Sequence, residues 1–406
     1  MREEYPHGRR PAQRRTPPPQ PHRQVTNPYY QKDQRTAPQA EGQARRQAEY
    51  RRRQKRRRVI RRILMALLCV IVLAALVLLG LYIWLDNFVL KGDSLAGDVV
   101  NTAQEYQGDV VHLLVCGIDF DYDDDGRDYS DGLGMTDVIL YISYDLKNQQ
   151  MSILQIPRDS YVGESVSTGG TRKINAVYSH GEDAGTRVNN LARVINDQFK
   201  LPVDHYVTIN MTAFKQIINI LGGIEMYVPW DIVDDYGNTI PQGTHKMDGD
   251  TVEFVIRQRH QYAQGDIMRL EVQQYFYAAV FRTFLTFPKE DVIKTMPTVA
   301  KYTETDMSAA DLIGIGLSFL NLDTSRIYMT KPGGGPIYID GQSLFGIDKE
   351  QTAEILNQYF RYYEDPVPAS ALGLPGGFTY TQGQIDPSGH YLGDLGAEGA
   401  EQNEAA

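Results

Sequence analysis

Residues 63–85 (ILMALLCVIVLAALVLLGLYIWL) run without a single charge, and this limits the architectures open to the 406-residue chain. As a helix the run reaches about 34 Å, enough to cross a bilayer core of about 30 Å. Its length, and the lack of a small-x-small cleavage pattern after it, argue against a cleaved signal peptide. The basic run that abuts it, RRRQKRRRVIRR at 51–62, reads as the flank that orients a membrane helix rather than as a nucleic-acid patch. Tyr82 and Trp84 stand near the other end, where an interfacial aromatic belt sits. The sequence therefore predicts a single-pass plasma-membrane protein with a cytoplasmic N-terminus, everything after Asp86 outside, and the lipid bilayer as a partner.

Charge divides the chain the same way. Residues 1–62 carry 19 Lys and Arg against 5 Asp and Glu, rich in Pro and Gln and poor in apolar residues, and are expected to be a disordered tail. The remainder carries 22 Lys and Arg against 46 Asp and Glu, a net charge of −24. So acidic a region excludes a general nucleic-acid binder, and any anion site there must be a local cluster of cations. Of the two cysteines, Cys69 lies in the apolar span and Cys116 in a second apolar run, so no disulfide staples the outer part. Residues 86–107 read as a juxtamembrane connector, 108–365 as the folded domain, and 366–406 as a flexible, acidic, Gly- and Pro-rich tail.

Within the domain, 110–118 (VVHLLVCGI), 138–144 (VILYISY) and 151–156 (MSILQI) are continuous rather than alternating apolar runs. Strands of that kind are covered on both faces, which predicts a layered α/β domain. Helices are expected over 185–199, 211–221, 266–284, 309–320 and 349–363.

Asp119 follows the first run, Asp137 precedes the second and Arg158 follows the third. Two carboxylates at strand ends either cap turns or share a hard cation such as Mg²⁺, which takes one or two protein carboxylates and completes its shell with water and phosphate oxygens. Farther on, Arg257, Arg259, Asp266, Arg269 and Gln273 crowd one short stretch. Asp250 with Glu253 is expected to cap a helix there, and Arg257 and Arg259 converge if that helix ends between them, the preferred reading, or if the segment is a strand. Guanidinium forks match phosphate oxygens, so carboxylates, metal and arginines together are equipment for a phosphoryl or pyrophosphate group.

The order of these residues carries a resemblance. GID at 117–119, Thr136-Asp137, IPRDSY at 156–161, KINAVY at 173–178, LGGIEMYVP at 221–229 and the Arg257-to-Gln273 series closely resemble the LytR-CpsA-Psr family. The resemblance covers about 108–365 and implies a three-layer α/β/α sandwich around a central mixed sheet, behind one membrane anchor. It implies a phosphotransferase that moves a glycopolymer of teichoic acid or capsular type from polyprenyl pyrophosphate onto peptidoglycan, releasing polyprenyl phosphate, with a pyrophosphatase side activity. By the same resemblance Asp119 and Asp137 would hold Mg²⁺ or Mn²⁺. Arg158, Arg257, Arg259 and Asp266 would act in catalysis, with Arg269, Gln273, Lys173 and Asn175 also lining the pyrophosphate site. Helices at 211–221 or 273–284 would supply an apolar groove for the lipid.

Two positions depart from the family pattern: Met135 and Val272 stand where it carries arginine, and each is expected to remove positive charge near the site, with Arg127 a substitute in the preceding loop. Two other readings compete: a polyprenyl-pyrophosphate binder without turnover, and a membrane-bound transcriptional regulator, for which the basic tail offers no folded DNA-reading element. Separately, Asp121, Asp123, Asp125 and Gly126 match the first half of a calcium loop, with Gly132 where the bidentate Glu belongs.

Overall fold

A computed structural model describes residues 76–77, 79–80, 83, 90–91, 94–103, 106–119, 134–181, 187–233, 237, 239–258, 266–288, 291, 295, 299, 303–381 and 389–395, with only the backbone at 90–91 and 266–269. The expected membrane span falls mostly outside these residues. Leu76, Val77, Leu79 and Ile83 within it are helical and more than half exposed. Among the described residues no helix is long and apolar enough to cross a membrane. The basic tail 1–62, Arg127 and the calcium-loop candidates Asp121, Asp123 and Asp125 also lie outside them.

In chain order the strands are β1 (Leu90–Lys91), β2 (Val110–Asp119), β3 (Met135–Asp145), β4 (Gln150–Gln155), β5 (His205–Asn210), β6 (Ile224–Val228), β7 (Ile232–Val233), β8 (Thr239–Ile240), β9 (Gly243–Met247), β10 (Thr303–Thr305), β11 (Ile327–Thr330), β12 (Gly334–Ile339), β13 (Gln342–Ile347) and β14 (His390–Tyr391). Eight form one sheet in the order β1-β10-β5-β2-β3-β4-β11-β14. The sheet is mixed: β2 pairs parallel with β5 and β4 with β11, while β2, β3 and β4 run antiparallel. The three continuous apolar runs are its centre, and their lack of alternation has the expected cause. Leu114 and Cys116 of β2 join one apolar cluster and Leu113 joins another on the opposite face. Each such side chain, fully buried, contributes roughly 1.5–3 kcal/mol.

Helices cover both faces. On the first lie α1 (Arg187–Val194) and α6 (Lys349–Tyr359). The second is covered by α2 (Met211–Ile220), α3 (Gly249–Arg257), α4 (Asp266–Leu285) and α5 (Ala309–Phe319). The caps are local chemistry: Asn210 accepts from the Ala213 amide at 2.7 Å, and Ser308 with Asp311 forms a reciprocal capping box at α5.

Two expectations are corrected and one is refined. Asp248, not Asp250, caps α3, its extended backbone letting the carboxylate accept from the amide and hydroxyl of Thr251 at 2.9 and 2.7 Å. Gly249 follows because a Cβ there would sit 2.5 Å from the Lys215 carbonyl. The helix expected over 185–199 is α1 continued by a π-helical turn, Ile195–Phe199, and stopped by Lys200 in the left-handed region at φ 56°. Finally, 366–406 is not wholly an exposed tail. Leu372 and Leu374 bury in one cluster, Leu392 and Leu395 in the other, and β14 extends the sheet edge. Four apolar residues spaced among Gly and Pro show no periodicity, so their burial is invisible in sequence.

Candidate active site

The site begins with a β-bulge. Between β2 and β3, Gly117 faces Val138 but Ile118 faces Thr136, so Asp137 is the extra residue, and Asp119 faces Met135. Unbroken register would set Asp119 opposite Thr136, whose side chain is fully buried and donates to the Asn175 carbonyl at 3.3 Å. The bulge shifts pairing by one residue and so brings Asp119 to the side shared by Met135 and Asp137. All three line one open cleft of about 590 Å³ with Arg158, Asp159, Thr171, Lys173, Asn175, Gln342 and Ser343.

The rest of the cleft is built by two of the sequence motifs binding each other. The chain from Arg158 to Val162 lies between two segments. On one side the Phe345 amide donates to Asp159 O at 2.8 Å and the Tyr161 amide to Phe345 O at 2.9 Å. On the other, the Ile174 amide donates to Ser160 O at 2.9 Å and the Asn175 amide to Arg158 O at 3.1 Å. IPRDSY and KINAVY are thus neighbouring threads of one platform, which fixes Arg158, Asp159, Lys173 and Asn175 at the cleft.

Cations answer each carboxylate. Arg158 Nη1 donates to Asp137 Oδ1 at 2.5 Å, Lys173 Nζ lies 2.9 Å from Asp159 Oδ1, and Arg158 Nε lies 3.8 Å from the same oxygen. Arg257, the last residue of α3 as expected, reaches Asp119 Oδ1 at 3.5 Å and bonds Glu253 at 2.7 Å. Gln258 after it is extended, turning the chain out of the helix. Arg158 is largely buried, whereas Arg257 and Asp119 are about half exposed, so the inner pair is the less screened of the two.

The other expected residues divide. Arg259 lies outside the described residues; Asp266 and Arg269 stand on the first turn of α4, with backbone alone described. Gln273 is not among the described cleft-lining residues: it is buried and accepts at 2.9 Å from Nε2 of Gln155, which stands three residues before Arg158. Met135 does line the cleft, so that departure falls where the site would feel it. Val272 is not among the described cleft-lining residues: on α4 it is fully buried in the apolar cluster beneath that helix. Asp159, Thr171, Gln342 and Ser343 were not anticipated; only Asp159, beside Arg158 within IPRDSY, had a signal in sequence.

No group of three or more His, Cys, Asp or Glu side chains gathers around a possible metal position among the described residues. Asp119 and Asp137 nevertheless offer two hard oxygen donors on one open wall, which suits a cation that keeps water and takes phosphate oxygens.

The LytR_cpsA_psr family model matches residues 90–361. The chain belongs to the LytR_cpsA_psr family. A relative in Bacillus subtilis, the polyisoprenyl-teichoic acid–peptidoglycan teichoic acid transferase TagV, is 25% identical over 249 residues, 59% of this chain and 62% of its own. The chain thus spans somewhat less than two thirds of that relative's length. The corresponding transferase TagU of Bacillus mycoides is 23% identical over 65% of this chain and 83% of its own. The crystal structure of B. subtilis TagV superposes with a TM-score of 0.52 at 24% identity, over 63% of this chain and 98% of that one. A structure of TagT bound to LIIa-WTA superposes at 0.51 and 20%, over 70% and 100%. The shared fold places the family's mixed sheet and flanking helices here; the cleft is the part of it where this chain's charged residues converge.

Proposed function

We propose that the chain is a membrane-anchored phosphotransferase that attaches a polyprenyl-pyrophosphate-linked cell-wall glycopolymer to peptidoglycan through a phosphodiester and releases polyprenyl phosphate. One observation carries this reading: the bulge puts two carboxylates on one side of an open cleft, and Arg158, Lys173 and Arg257 surround them. Relatives named as teichoic acid–peptidoglycan transferases supply the substrate class.

In this reading Arg158 and Arg257 grip the pyrophosphate oxygens and neutralise the charge that grows as an acceptor hydroxyl attacks the glycan-linked phosphorus. Asp119 and Asp137 would hold Mg²⁺, or Mn²⁺, which supplies Lewis-acid polarisation of the phosphoryl group when bound. Arg158 engages Asp137 in this structure, which places its guanidinium at the cleft beside the position the pyrophosphate oxygens would take. Lys173 and Asp159 hold the platform and its charge in place. Asp266, on the first turn of α4, is assigned to orient an arginine rather than to take the acceptor proton. Half-buried Phe214, Val280, Phe281, Leu312 and Ile315 on α2, α4 and α5 support an apolar seat for the lipid.

The test uses the full-length protein in detergent with lipid-linked glycopolymer and peptidoglycan, measuring glycan joined by phosphodiester. Arg158→Ala and Arg257→Ala are each expected to cut transfer at least about 100-fold. Full transfer by both variants would end the catalytic reading. Tight binding of polyprenyl pyrophosphate by a wild type that never transfers would favour the binder without turnover, the reading that Met135 in the cleft wall invites.

A further inference from the structure

Past the end of the family match, which stops at residue 361, the chain does not leave the domain. Leu372 and Leu374 are 3% and 2% exposed in the apolar cluster shared with α1 and α6, so residues 372–381 are held to the fold as a strap. The strap begins on Gln198. The Gly373 amide donates to the Gln198 carbonyl at 3.0 Å, and a Cβ on Gly373 would sit 2.5 Å from the Asp197 carbonyl oxygen, so the approach needs glycine. It ends on β12, where the Thr381 amide donates to the Pro336 carbonyl at 2.8 Å.

Both anchors belong to the support of the platform that carries Arg158. The Gln198 side chain donates to the Val162 carbonyl at 2.8 Å, at the end of the Arg158-to-Val162 thread. β12 pairs with β13, whose Phe345 donates to the Asp159 carbonyl and accepts from the Tyr161 amide. Between the anchors, Phe378 closes on the platform itself. Its ring meets that of Tyr161 edge to face, with centroids 5.9 Å apart and planes at 78°. It also lies against Gly346, the residue after Phe345, so closely that a Cβ there would come within 2.8 Å of Phe378 Cδ2. One ring thus touches both threads that the Phe345–Tyr161 hydrogen bond joins. The thread needs such backing. Arg158 and Asp159 sit in a turn, and Ser160 and Tyr161 form isolated bridges to Phe345 and Lys173 rather than a strand. A segment with so little regular hydrogen bonding depends on side-chain packing to keep one position.

We propose that residues 372–381 are a positioning strap for the platform, and that Phe378, acting through Tyr161 and β13, holds Arg158 where it meets a pyrophosphate. Phe378 is not among the described cleft-lining residues, so its effect on a bound anion passes through the platform. This role rests on the pyrophosphate reading of the cleft.

Two measurements on full-length protein in detergent, well below its melting temperature, test it: hydrogen exchange at platform amides and titration with inorganic pyrophosphate. Phe378→Ala is expected to speed exchange at the Tyr161 and Phe345 amides about three- to tenfold and to weaken pyrophosphate by about the same factor. Phe378→Tyr keeps the ring and should match the wild type in both. Leu395→Ala is the control: it opens a cavity in the cluster on the other face of the sheet, so it should lower the melting temperature and change neither readout. Arg158→Ala should lose pyrophosphate binding. The strap is overturned if Phe378→Ala leaves exchange unchanged, or if it binds pyrophosphate as the wild type does while Arg158→Ala does not. Equal weakening by Leu395→Ala overturns it too, because the effect would then be general destabilisation. Pyrophosphate binding that is absent from the wild type, or indifferent to Arg158→Ala, overturns the reading of the cleft instead, and exchange still decides whether Phe378 holds the platform.

Discussion

Gly117→Ala tests whether the bulge builds the site. The new Cβ would lie 2.9 Å from Val138 Cβ and 3.2 Å from its Cγ2. Carbon atoms pack best at about 3.5–4.0 Å, so β2 and β3 must part by roughly 0.5–1 Å at the register shift. Overpacking of that kind costs about 1–3 kcal/mol, which for a domain this size lowers Tm by roughly 3–10 °C. The movement falls between Gly117 and Asp119 on one strand and at Asp137 on the other, so the carboxylates shift against each other and against Arg158. A displacement near 1 Å in a reacting site can cost about 100-fold in rate. Scanning fluorimetry and the transfer assay on full-length protein read the two effects together. Gly314→Ala is the control: it lies inside α5 with open space around its Cβ, so it should stabilise by about 0.5–1 kcal/mol and leave transfer unchanged. If Gly117→Ala keeps both the Tm and the activity of the wild type, the bulge does not set the carboxylate geometry, and the account of the site given by its register is wrong.

Other outcomes follow from the same structure. Val272→Arg forces a guanidinium into a fully buried apolar position and should cost at least about 3 kcal/mol or prevent folding, whereas Met135→Arg, at the cleft wall, should fold and strengthen pyrophosphate binding; thermal melts and pyrophosphate titration decide both. Burial alone would raise the Asp204 pKa, but hydrogen bonds from His112, from its amide and from Thr102 outweigh that and hold it below the usual carboxylate range. A folded pKa below the unfolded one, which is about 3.9, adds stability above that value and loses it as pH falls through the folded pKa. Asp204→Asn should therefore be less stable near neutrality by about 1–3 kcal/mol and should lose less than the wild type on acidification below about pH 4, as measured by denaturant melts across pH. Burial pushes the Cys116 thiol up to about 12, so in the folded protein it should resist alkylation at pH 8 and react once denaturant is added. Equal labelling rates in both states would contradict its place in the core.

The sequence alone determined what depends on local chemistry and composition. Three apolar runs without alternation required a sheet covered twice, and Leu113 and Leu114 now point to opposite clusters. The family was legible from the order of its motifs, and the end of α3 at Arg257 from helical spacing. Tertiary structure decided what depends on register and on distant partners. Nothing in residues 117–119 or 135–138 shows that pairing slips by one, yet that slip puts Asp119 and Asp137 on one side. Gln273, an apparent site residue by spacing, turned inward because Gln155 of β4 offers it a buried partner 118 residues away. In each case the deciding contact joins residues on separate strands or elements, and a local pattern carries no record of which partner the folded chain supplies.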